Sequence, residues 1–149
     1  MMKTSFFVLF LFFISSFHVS MAQDSSILKK YEWKNRLLLL FSPTHNTTYQ
    51  QQLKQLNKHK ADLTERDLIV FYITEKDIKT SESTNYTNEN KQALLNYYKV
   101  NTDTFFVILI GKDGTQKIKQ NKLLSIEQLF GTIDAMPMRR REMNRKSEG

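Results

Sequence analysis

Three unbroken apolar runs, Leu37–Phe41, Leu68–Ile73 and Phe105–Ile110, constrain this chain more than any other feature. Each is bounded by charged or turn residues: Arg36 and Ser42-Pro43 around the first, Glu65-Arg66-Asp67 before the second, Gly111-Lys112-Asp113-Gly114 after the third. Short apolar runs bounded in this way read as strands buried on both faces of a sheet. The third is the most apolar and is expected to be the central strand.

Between the first two runs, Tyr49, Leu53, Leu56 and Leu63 recur at helical spacing, and Thr47 with Gln50 fits a capping box that would start the helix. A strand, a helix and a strand in that order need a right-handed crossover, so the first two strands should be parallel. Residues 74–90 are polar and are expected to form an irregular surface excursion. Helical spacing resumes at Ala93, Leu94, Tyr97 and Tyr98. Asp113-Gly114 after the third run signals a hairpin, whose returning strand Thr115–Lys119 alternates and carries lysines suited to an exposed edge. Ser125 and Gln128 open a last helix with Ile126, Leu129, Phe130 and Ile133 on one stripe, and Pro137 is expected to stop it. The resulting order, β-α-β-α-β-β-α, predicts an α/β thioredoxin-like fold with a central mixed four-stranded sheet flanked by helices.

The ends of the chain add a destination. Residues 1–22 combine Lys3, the apolar run Phe6–Ile14 and small residues Ser20 and Ala22 before Gln23, which predicts a cleaved signal peptide and a secreted or periplasmic product. The apolar run is too short to span a bilayer, so no stable membrane insertion is expected after cleavage. Residues 23–143 then form a single domain, with 144–149 a basic, flexible tail. The net charge of +7 favours polyanionic partners, anionic glycans or matrix components foremost, although such a charge also serves plain solubility. No specific nucleic acid is expected.

Composition closes several chemistries. There is no cysteine, hence no thiolate nucleophile, no disulfide and no cysteine-ligated metal. Three histidines without a His-x-x-Glu pattern give no expectation of a metal, and no cofactor is expected. No residues are assigned a catalytic role. In a thioredoxin-like domain the chemistry lies where the first strand meets the first helix, here Ser42 to Thr48. That junction offers His45, Thr47 and Thr48 as a candidate small-anion site on a helix N-terminus, or as ordinary caps. Lys112, Lys117, Lys119, Arg139, Arg140 and Arg141 are candidates for binding a polyanion. Asn46-Thr47-Thr48 and Asn85-Tyr86-Thr87 fit the glycosylation acceptor pattern.

Four stretches together carry a resemblance: Trp33 to Phe41, Glu65-Arg66-Asp67, Leu109 to Gly114, and Met136-Pro137-Met138-Arg139 continuing to Glu142-Met143. From about Leu28 to Met143 the chain resembles a family of exported domains of unknown function, thought to be thioredoxin-like. Related domains occur in sushi-repeat-containing and coiled-coil-domain-containing matrix proteins, where they are associated with adhesion. The resemblance implies a secreted, non-redox binding or structural module and supplies no catalytic residues. The alternative is a degenerate oxidoreductase-related protein or enzyme using the junction near His45. Gly111, Lys112, Asp113, Gly114 and Met136 to Arg139 are the motif positions to follow.

Overall fold

The computed structural model describes residues 26–148, so the predicted signal peptide lies outside the described residues. Eleven elements follow in the order α1 (Ser26–Lys29), β1 (Arg36–Phe41), α2 (Thr47–Lys58), α3 (Lys60–Glu65), β2 (Leu68–Ile73), β3 (Ile78–Thr80), α4 (Asn88–Tyr98), β4 (Phe106–Ile110), β5 (Gln116–Gln120), α5 (Ile126–Asp134) and α6 (Pro137–Ser147).

The strands form one five-stranded mixed sheet ordered β3-β2-β1-β4-β5. The expected crossover is present: β1 and β2 are parallel, with Leu39 opposite Phe71. β4 runs antiparallel to β1, and β5 antiparallel to β4. The middle position belongs to β1 rather than to the third apolar run. Accordingly, Leu38, Leu39, Leu40 and Phe41 are wholly buried.

Alternation along the strands divides the core into two layers. Leu38, Leu40, Val70, Val107 and Leu109 pack with Leu56 of α2, Leu63 of α3 and Leu129 and Ile133 of α5. On the opposite face Leu37, Leu39, Phe41, Phe71 and Ile108 pack with Leu28 of α1 and Leu94 and Tyr98 of α4. Burial of this apolar area is the main stabilising term in a chain without disulfides.

Four sequence expectations need correction. The helix between β1 and β2 is two helices, meeting at His59. Residues 74–90 are not wholly irregular: they contain β3, which pairs with β2 and makes the sheet five-stranded instead of four-stranded. Ile78 and Thr80 of β3 point inward and are buried, whereas Lys79 is exposed. The helix opened by Ser125 does end before Pro137, at Asp134, but it is not the last: Pro137 occupies the first turn of α6, where its missing N–H costs nothing. The basic tail is therefore helical up to Ser147.

Candidate functional site

The β1–α2 junction is a filled cap. Asn46, not Thr47, is the N-cap of α2, and its Oδ1 accepts from the Tyr49 N–H at 3.0 Å. Glu75, from the loop after β2, brings a carboxylate to the same place. It accepts from the Thr44 backbone N–H at 2.9 Å and from the Thr44 hydroxyl at 2.7 Å. The hydrogen bond from the Thr44 side chain is the leading reason that the Glu75 carboxyl lies below its ordinary range. His45 and Thr47 are exposed and Thr48 is half-buried. The three expected small-anion residues thus flank a position where the chain supplies its own anion.

The opposite end of the sheet holds most of the buried charge. The start of β1, the start of β2 and the end of β4 lie together there, because β1 and β2 are parallel and β4 is antiparallel to them. Arg36, the first residue of β1, is wholly buried. Its Nη1 donates to the Arg66 carbonyl at 2.9 Å and to Glu142 Oε2 of α6 at 3.2 Å. Lys112, just beyond β4, places Nζ 2.7 Å from Asp67 Oδ2 and 2.8 Å from Glu142 Oε1.

A second set of ion pairs joins the same elements. Arg139 is 3% exposed, which decides that it is an interior residue. It donates to Glu65 through both the side-chain carboxylate and the backbone carbonyl, and to Asp134 Oδ1 at 3.1 Å. Asp134 also pairs with Arg66 at 2.7 Å, and Lys146 reaches Glu65 at 3.1 Å. The arrangement pins α6 across the sheet end. A shallow depression of about 400 Å³ opens over it, lined by Glu65, Arg139, Glu142 and Lys146 among others.

The hairpin feeds this network through backbone geometry. The Gly114 N–H donates to the Gly111 carbonyl at 3.0 Å and the Gly111 N–H to the Thr115 carbonyl at 2.9 Å. Gly114 has φ +73°, a left-handed conformation that glycine adopts without strain. The Lys112 carbonyl accepts from the Trp33 N–H, so the first of the four resemblance-bearing stretches meets the third directly. Arg36, Glu65-Arg66-Asp67, Lys112 and Arg139 with Glu142 bring all four stretches into one cluster.

The expected polyanion surface is corrected accordingly. Lys112 and Arg139 are buried and neutralised inside the protein, so neither is a ligand contact. Lys117 pairs with Asp113 at 2.9 Å, and Lys119 donates to the Tyr98 carbonyl at 2.6 Å. Arg140 and Arg141 are exposed, as is Arg145 one turn further along α6. None of these three has a carboxylate within ion-pair distance among the described residues. Among the described residues no group of three or more acidic or histidine side chains is placed to hold a metal, and no helix is long and apolar enough to cross a membrane.

Asp134 was not singled out by sequence, and Arg36, Glu65, Arg66, Asp67 and Glu142 were seen only as parts of motifs. A usable signal existed. Charged residues abut all three apolar runs on the side that the topology gathers at one end, and Arg139, Glu142 and Lys146 share one helix face.

The network makes stability depend on acid. The Glu65 carboxyl is held below the usual range chiefly by its hydrogen bond from Arg139. For Asp134 and Glu142, burial alone would raise the carboxyl, but donors outweigh it: Arg66 and Arg139 for Asp134, Lys112 and Arg36 for Glu142. Folded values below the unfolded value of about 4 stabilise the protein above that pH, and the contribution is lost as pH falls through the folded values. The urea midpoint is therefore expected to be level from about pH 8 to 6 and to fall below about pH 5. A midpoint unchanged between neutral pH and pH 3 would rule out this role.

Comparison with known proteins gives a family without an assigned activity. A curated zebrafish (Danio rerio) protein, coiled-coil domain-containing protein 80, is 27% identical over 135 residues, covering 79% of this chain and 16% of that protein. The chain thus matches only a small part of that relative's length. No solved structure matches it. Residues 27–142 match the family model described as a domain of unknown function, DUF4174, and the chain belongs to that family.

Proposed function

We propose that this chain is an exported, non-catalytic binding module of thioredoxin-like architecture that engages polyanions, anionic glycans foremost, through the outer face of α6. Support for the architecture comes from the order β2-β1-β4-β5, with its parallel β1–β2 pair and closing antiparallel hairpin, to which β3 adds an edge. A thiol-based activity has no cysteine to run on. The small-anion alternative at His45 is disfavoured by the Glu75 carboxylate already seated beside it.

The observation that carries the reading is the division of cations on α6. Arg139 and Lys146 are satisfied by Glu65, whereas Arg140, Arg141 and Arg145 face solvent without a partner among the described residues. Unpaired guanidinium groups on a rigid helix favour bidentate contact with sulfate or carboxylate. The combined variant Arg140→Ala, Arg141→Ala, Arg145→Ala is expected to elute from a heparin column at clearly lower salt than the unaltered chain, with its melting temperature preserved. Elution at the same salt would overturn the proposal.

A further inference from the structure

Away from α6, a groove of about 340 Å³ is lined by Tyr97, Tyr98, Lys99, Gly114, Gln116 and Lys119. It adjoins a smaller cavity of about 120 Å³ that shares Tyr97, Tyr98 and Gly114 and brings in Glu32 and Asn35. Tyr97 was expected on the buried stripe of its helix with Tyr98. Only Tyr98 is buried; Tyr97 is 59% exposed, one of two large apolar side chains so exposed among the described residues.

The exposed ring is held in place. Tyr97 meets Tyr98 edge to face, with centroids 4.9 Å apart and planes at 85°. Lys119 is tied to the same spot by its bond to the Tyr98 carbonyl, which leaves two ammonium protons free. Lys99 closes α4 in a left-handed conformation, φ 51° and ψ 51°. Gly114 lets the Glu32 side chain pack close against the hairpin: a Cβ there would lie 2.7 Å from Glu32 Oε1.

We propose that this groove binds one ring of an acidic sugar, a pyranose bearing carboxylate or sulfate. An aromatic face carries negative quadrupole charge and attracts the C–H face of a sugar ring. Lys99 and Lys119 supply the cations for its acidic substituent. Gln116, Asn35 and Glu32 supply neutral and anionic hydrogen-bonding groups suited to hydroxyls. The proposal deepens the polyanion reading but uses a different surface, so the two can fail separately.

The test is calorimetric titration of the chain with a heparin-derived tetrasaccharide, with inorganic polyphosphate and with a single-stranded oligonucleotide. Tyr97→Ala is expected to weaken tetrasaccharide binding about tenfold while leaving polyphosphate binding unchanged, and Tyr97→Phe to restore it. Because Tyr97 is exposed, these variants are expected to keep the wild-type melting temperature. The groove proposal is overturned if Tyr97→Ala binds the tetrasaccharide as the unaltered chain does, if polyphosphate binding drops equally, or if the oligonucleotide shows the larger Tyr97 dependence. A Tyr97 effect in the absence of any effect from the three α6 arginines would support the groove and reject the α6 surface. The reverse would do the opposite.

Discussion

Replacing Glu142 with glutamine is expected to lower the unfolding free energy by about 3 kcal/mol, a large part of the roughly 5–15 kcal/mol available to a domain. The change keeps the side chain's shape and removes only its charge. Arg36 is wholly buried and Lys112 nearly so, and both reach the same carboxylate. Without it, two interior cations face each other across a neutral amide, with Asp67 left as a half-exposed partner for Lys112 alone. Urea unfolding followed by circular dichroism measures the loss directly. A variant within about 0.5 kcal/mol of the unaltered chain would mean that the pair is effectively solvated.

Phe71→Ala should cost about 3–5 kcal/mol in the same measurement. Phe71 is wholly buried on β2, on the face covered by α1 and α4. Tyr31 meets it edge-on at 5.6 Å and Tyr86 stacks on it at 5.6 Å. The two tyrosine hydroxyls join each other at 2.8 Å, and burial together with that bond pushes the Tyr31 phenol up to about 12. Removing the ring therefore leaves a cavity and loosens the contact between residues 74–90 and the sheet. A loss below about 1 kcal/mol would mean that this segment does not pack on β2 as described.

The β1–β2 crossover and the closing hairpin were legible because their signals are local and strong: continuous apolar runs, one helical stripe, and Asp-Gly at a turn. The third strand was not legible. Only Ile78 and Thr80 of β3 face inward, and a three-residue edge strand among polar residues carries no periodicity long enough to read. Pro137 was ambiguous for a different reason, since proline suits both the residue after one helix and the first turn of the next.

Charge was the least legible property. Composition reports that Arg139, Arg140 and Arg141 are cations, but not which of them meets a carboxylate from a distant part of the chain. Glu65 is 74 residues from Arg139 in sequence, so the contact that internalises Arg139 depends on tertiary structure. The candidate basic residues of α6 therefore divide into a structural cation, Arg139, and exposed ones, Arg140 and Arg141.

The anchoring of α6 at the sheet end rests on Glu142 serving as the shared counter-ion of Arg36 and Lys112, and a double-mutant cycle over Lys112→Met and Glu142→Gln measures it. The two substitutions are expected to be non-additive by about 1–3 kcal/mol, because each removes the interaction that the other would lose. Additivity within about 0.5 kcal/mol would contradict the network and return Lys112 to the solvent-facing surface.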